Sequence, residues 1–135
     1  MNVVIDTNII VSALLNNNGL PAKILQLVFE RKIKLFCDNR IFAEYQNVLH
    51  RKKFHFDDGL IAYILNFIKI EATFVDTIQQ DVVFNDEDDK KFHEVFKTAQ
   101  VGFLITGNIK HFPKEKGIVT PVEFLPFIAR KFSET

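Results

Sequence analysis

The first residues constrain the fold most: Met1-Asn2-Val3-Val4-Ile5-Asp6, a short apolar β-type run that ends in one carboxylate. A helix-like pattern begins at once behind it, from Asn8 to Leu15, and stops at the breaker cluster Asn16-Asn17-Asn18-Gly19. The same alternation then repeats along the chain. Pro21 suits the first turn of a second helix, running to about Arg31 with apolar Ile24, Leu25, Leu27 and Val28. Ile33 to Cys37 reads as strand 2, and Asp38 is placed to cap a helix from Asn39 to about Arg51. Asp57 or Asp58 opens a fourth helix that ends near Lys69, before a third strand from Ala72 to Val75. Asp86 or Asp88 opens a fifth helix to about Gln100, and Phe103 to Thr106 is strand 4. Ile118 and Val119 make a brief fifth strand. Thr120-Pro121-Val122-Glu123 is a capping box with proline at the first helical position, opening a last helix to about Phe132.

Strands separated by helices predict an α/β fold, with a parallel sheet of four or five strands covered on both faces. The ends of strands 1, 2 and 4 then lie near one another along one edge. With 135 residues the expected organisation is one domain, residues 1–135. Fifteen phenylalanines and no tryptophan suggest a core packed largely on Phe. Lys plus Arg and Asp plus Glu number 17 each, which argues against a chain that coats nucleic acid by charge alone. It leaves room for a small basic rim around an acidic centre. A single cysteine, Cys37, excludes an intramolecular disulfide and fits a reducing, cytoplasmic setting. No stretch is apolar for the roughly 20 residues a membrane span needs. No basic region followed by an apolar core marks a signal peptide.

In open parallel sheets, ligands sit just past the carboxyl ends of the strands. Four groups of polar residues reach that edge. Asp6 follows strand 1. Glu44 lies in the second turn of helix 3, on a side it shares with Ile41, Tyr45 and Val48. Asp86, Glu87, Asp88 and Asp89 open helix 5, and Thr106-Gly107-Asn108 follows strand 4. Each has a plain explanation: Asp6 as a helix cap, Glu44 as a solvated position, the acidic run as partners of a helix dipole, the last as a turn. Together they say more. Carboxylates gathered at one edge repel, and burying several is costly without a cation. Hard oxygen ligands from Asp, Glu and Asn suit Mg²⁺ or Mn²⁺, which keep several waters and complete their shell with substrate phosphate. The chemistry suggested is phosphodiester hydrolysis by a metal-activated water.

Asp6-Thr7-Asn8, Phe42-Ala43-Glu44-Tyr45, Asp86-Glu87-Asp88-Asp89-Lys90-Lys91-Phe92 and Phe103-Leu104-Ile105-Thr106-Gly107-Asn108 resemble, in order and over essentially the whole chain, the motifs of PIN-domain proteins. The resemblance is greatest to the small single-domain, VapC-like ribonuclease toxins of toxin–antitoxin modules. It implies a PIN-like three-layer α/β/α sandwich and a Mg²⁺- or Mn²⁺-dependent ribonuclease. The acidic quartet of the family carries over onto Asp6, Glu44, Asp89 and the position of Asn108. Asp89 is chosen because it begins the Asp-x-x-Phe step into helix 5, with Asp86 and Asp88 as alternates. The family's commonest residue after Thr-Gly is aspartate, so Asn108 is a departure that removes one charge. In the implied site, Asp6 and Asp89 hold the metal and Glu44 holds a second ion or positions the attacking water. Thr7, Asn8 and Thr106 supply hydroxyl and amide groups nearby. The resemblance also implies an antitoxin partner and a homodimer, for which the Ile-, Leu- and Phe-rich helices 2 to 4 offer surface.

RNA approaching an acidic centre needs basic side chains around it. Arg40, Lys90 and Lys110 fall near the predicted edge, as do Lys91 and His111, while ordinary solvated charge explains each of them equally well. His111 has no cysteine or histidine partner at zinc-ligand spacing. A phosphatase of the haloacid-dehalogenase type needs a second aspartate two residues after the first, where Asn8 stands. A receiver domain needs paired acids at strand 1 and a lysine after strand 5. The remaining rival is a catalytically silent PIN domain that binds RNA or a partner.

Overall fold

Val3, Val4 and Ile5 are shielded on both sides, as consecutive apolar residues must be when helices cover both faces of a sheet. The computed structural model describes residues 1–77, 84 and 86–132. In chain order the elements are β1 (Asn2–Ile5), α1 (Thr7–Leu15), α2 (Leu20–Phe29), β2 (Lys34–Cys37), α3 (Asn39–Leu49), α4 (Asp58–Glu71), β3 (Thr73–Phe74), α5 (Glu87–Thr98), β4 (Phe103–Ile105), β5 (Ile118–Val119) and α6 (Pro121–Phe132). Short 3-10 turns at Lys52–Phe54 and Ile109–His111 carry no periodic signal in the sequence. The five strands are all parallel, in the order β3-β2-β1-β4-β5, within a three-layer α/β/α sandwich. Val3 stands opposite Leu35 on one side and Phe103 on the other, and Ile5 opposite Ile105.

That order fixes the place of any site. The chain leaves β1 toward β2 and β3, then crosses back to lay β4 on the other side of β1. The direction of winding switches between β1 and β4, and the crevice beyond their carboxyl ends is where such sheets bind ligands.

The helix starts follow their capping residues. Asp38 accepts the Ile41 N–H at 3.0 Å, Asp57 accepts that of Leu60 at 3.0 Å, and Asp86 accepts that of Asp88 at 2.9 Å. Thr120 and Glu123 exchange both bonds of the capping box, at 2.9 and 3.2 Å. The helix ends depart more from expectation. α2 stops at Phe29 and α5 at Thr98, because Arg31 and Gln100 enter the left-handed region at φ 60° and 52°. α3 closes at Leu49, short of Arg51, where the chain turns into the first 3-10 turn. α4 continues past Lys69 to Glu71.

The core is less phenylalanine-rich than the composition suggests. Tyr45, Phe92 and Phe124 are fully buried, but they stand among Ile5, Ile10, Ile24, Ile41, Leu49, Ile61, Ile64, Ile68 and Leu104. Phe103 and Phe127 lie half-buried at the rim, their ring centres 4.7 Å apart. Cys37 is inaccessible, and burial next to Asp38 pushes its thiol up to about 12, so it packs as a small apolar side chain. Among the described residues no helix is long and apolar enough to cross a membrane.

Candidate active site

The ends of β1 and β4 are stitched together at the switch point. The Asp6 N–H donates to the Ile105 carbonyl at 3.0 Å. Asp6 occupies the cap position of α1 yet makes no side-chain cap bond. Its carboxylate instead accepts the Thr106 hydroxyl at 2.7 Å, and that hydroxyl oxygen accepts the Asn108 N–H at 3.0 Å. The Asn8 side chain accepts the Gly107 N–H at 3.2 Å. Thus Thr106 and Asn8 fix the loop after β4 against the start of α1, with Asp6 between them. Asp6 is only 5% exposed. Burial pushes its pKa up to about 6, the Thr106 hydrogen bond opposes this, and the charges of Asp89 and Glu44 add to it.

Glu44 is brought to the same place by its neighbour. Tyr45 is fully buried and its hydroxyl donates to the Ile5 carbonyl at 2.5 Å, pinning α3 to the end of β1. Glu44 is half-buried beside this anchor. One of its carboxylate oxygens accepts the Thr7 hydroxyl, and the other pairs with the Lys91 ammonium at 2.7 Å. Asp89 comes from the first turn of α5, and its carboxylate meets His111 Nδ1 at 3.0 Å. Burial raises its pKa, His111 lowers it, and the charge of Asp86 raises it further.

The other sequence candidates separate by role. Asp86 is exposed and spends its side chain as the cap of α5. Asp88 is exposed and lines a cleft of about 610 Å³ between α3 and α5, together with Asn47, Arg51, Glu87, Lys90 and Lys91. Asn108 is exposed, and it is its backbone that serves Thr106. Lys90 is half-buried in the cleft and Lys110 is exposed on the 3-10 turn beside Asn108. Arg40 bridges Asp38 at 2.7 Å and Glu94 at 2.8 Å, so its guanidinium ties β2 and α3 to α5. Sequence reasoning missed the pairing of His111 with Asp89 and of Lys91 with Glu44. Both residues stand among the basic candidates, but the contacts join elements 22 and 47 positions apart in the chain, beyond any local pattern.

The donor set suits a hard divalent cation in kind: carboxylate oxygens from three parts of the chain, one of them buried without a cationic partner among the described residues. Among the described residues no three or more Asp, Glu, His or Cys side chains are grouped so that they could hold a metal ion.

Comparison with known proteins adds to this geometry. A family model described as PIN domain matches residues 2–110. The chain is 36% identical over 111 residues to the uncharacterized protein MJ1680 of Methanocaldococcus jannaschii, a match that covers 80% of this chain and 71% of that one. No solved structure gives a significant match.

Proposed function

This chain belongs to the PIN-domain family, whose members are generally nucleases, and from that premise we propose that it is a metal-dependent ribonuclease hydrolysing RNA phosphodiester bonds. The observation that carries the reading is Asp6: a buried carboxylate with no cation paired to it among the described residues, at the β1–β4 switch point and within the fields of Asp89 and Glu44. Asp6 and Asp89 are the residues that would hold Mg²⁺ or Mn²⁺. A bound ion would supply a water of lowered pKa and neutralise charge developing on the phosphate.

The remaining roles belong to the chain. Thr106 holds the Asp6 carboxylate in one orientation through its 2.7 Å hydrogen bond. Glu44 orients the attacking water or a second ion, and Thr7 fixes its carboxylate. Asn8 locks the Thr106–Gly107 turn, and the amide of Asn108 contributes an uncharged donor set where the family commonly has a carboxylate. Lys90 and Lys110 meet the RNA backbone, with Arg40 contributing through the scaffold it braces. Cleavage leaves a 5′-phosphate and a 3′-hydroxyl, by analogy with the family.

The protein acts in the cytoplasm as the toxin of a toxin–antitoxin pair and works as a homodimer. Exposed Leu60 and Tyr63 on α4, the latter edge-on to Phe29 at 5.9 Å, offer apolar surface for either partner. A second reading, a silent RNA- or partner-binding module, is favoured by one observation: both oxygens of Glu44 are already engaged inside the protein. Titrating Mn²⁺ while following cleavage of a labelled RNA separates the two. Metal-responsive cleavage that Asp6→Asn removes supports the ribonuclease. Cleavage that ignores both metal and Asp6→Asn would sink it.

A further inference from the structure

Glu44 differs from Asp6 in what neutralises it. The Lys91 ammonium sits on Glu44 at 2.7 Å, held there also by the Asp88 carbonyl at 2.5 Å, and is only 12% exposed. Its nitrogen also stands 5.1 Å from the centre of the Phe92 ring, a cation–π contact that would remain within reach once Glu44 is taken by another cation. Lys91 also lines the α3–α5 cleft, beside Lys90, Arg51 and Asn47. Within that cleft the charges balance: Arg40 is paired with Glu94 and Lys91 with Glu44, and Lys90 and Arg51 share the lining with Glu87 and Asp88. A cleft so balanced has no surplus for a phosphate.

We propose that Lys91 is an internal counter-cation which a divalent ion must displace from Glu44, and that the displaced ammonium becomes a phosphate contact for single-stranded RNA in the α3–α5 cleft. This rests on the metal-dependent reading above. Two cations cannot share one carboxylate oxygen without repelling each other, so metal arrival at Glu44 favours Lys91 leaving. Its departure gives the cleft one uncompensated positive charge. Metal binding and RNA binding are thereby coupled, and the coupling is reciprocal.

The test uses the full chain and two readouts that do not need turnover. Free Mn²⁺ is counted by electron paramagnetic resonance during titration of the wild type, Lys91→Met and Lys91→Arg. Anisotropy of a labelled single-stranded RNA, read before products accumulate, reports RNA affinity with and without Mn²⁺. Lys91→Met keeps an unbranched side chain and removes the charge. It is expected to bind Mn²⁺ tighter without RNA, on the order of tenfold, and to show a smaller Mn²⁺-induced gain in RNA affinity than the wild type. Lys91→Arg is expected to retain that gain. In Glu44→Gln the ammonium is already released, so RNA affinity without Mn²⁺ rises above that of the wild type without Mn²⁺. Equal or weaker Mn²⁺ binding by a folded Lys91→Met overturns the proposal alone. Glu44→Gln binding RNA no tighter than the wild type in the absence of Mn²⁺ also overturns it, and covers the case in which Lys91→Met does not fold. A wild type that takes up no Mn²⁺ sinks both this proposal and the metal-dependent reading beneath it.

Discussion

Asp6 and Asp38 are the same residue type at the same place in two neighbouring strands. Each follows the carboxyl end of its strand, each stands at the cap of the next helix, and each is 5% exposed. Their environments push them apart. Asp38 is also penalised by burial, but the Ile41 N–H, the Arg40 guanidinium and the Thr77 hydroxyl outweigh that and hold its carboxyl below the usual range. At Asp6 burial dominates: the Thr106 hydroxyl and the Asn8 backbone N–H oppose it only in part, Asp89 and Glu44 add to it, and the carboxyl rises to about 6. Topology alone therefore does not make a strand-end aspartate functional. The partner set does: Asp38 is already satisfied and stabilises the fold, whereas the Asp6 carboxylate carries a burial penalty that a bound cation would relieve.

The largest effect expected from breaking this pair is at Asp6. Asp6→Asn keeps the shape and the contact with Thr106 but removes the charge. RNA cleavage should fall by more than about 100-fold, beyond what loss of a residue merely supporting a metal ligand costs. Thermal stability near neutral pH should rise at the same time, by about 1–3 kcal/mol, because a carboxylate that burial disfavours is gone. Asp38→Asn should do the reverse: it loses the ion pair with Arg40 and about 1–2 kcal/mol of stability, with Mn²⁺ affinity unchanged. Melting curves and Mn²⁺ titrations of both variants check this. Asp6→Asn melting lower than the wild type would show that the two aspartates are alike.

The next effect is in pH. The Asp6 carboxyl is protonated in both states below 3.8, so there it leaves stability unchanged. Between 3.8 and about 6 the unfolded chain gives up the proton first, and folding loses stability as pH rises. Above about 6 the penalty is constant. Asp38 runs oppositely: its lowered carboxyl adds stability that is present above 3.8 and lost as pH falls through its folded value. Mn²⁺ should compete with the Asp6 proton, so its affinity should weaken as pH falls through about 6. Metal affinity flat across that range would remove Asp6 from the ligand set.

The contrast also explains what the sequence revealed. The strand–helix alternation, the caps Asp38, Asp57 and Asp86 and the Thr120–Glu123 box are local patterns, and each appears in the fold where the sequence places it. Topology brought Asp6, Glu44 and the acidic run Asp86 to Asp89 toward one edge, because adjacent parallel strands bring their ends together, and the family resemblance picked Asp89 from that run. The partners were not legible. Arg40 reads as a rim cation until Glu94, 54 positions away, closes on it. Lys91 and His111 read as surface charge until α5 is set against α3 and the turn after β4. Local chemistry fixes which groups reach the edge; pairing across it depends on side-chain rotamers that no sequence period encodes.

The smallest expected effect sharpens the comparison from the other side. Asn108→Asp restores a fourth charge at the edge without touching the Thr106 bond, which uses the backbone of residue 108. Because Asn108 is exposed, solvent screens most of the added repulsion, and stability should fall by no more than about 0.5 kcal/mol. Mn²⁺ affinity should rise about two- to fivefold, since each added carboxylate favours a hard cation and the cation cancels the new repulsion. The gain should vanish in the Asp6→Asn background, where the buried ligand is gone. If Asn108→Asp tightened Mn²⁺ equally with and without Asp6, the added charge would be acting as a separate surface site. The switch-point carboxylate would then have no special claim on the metal.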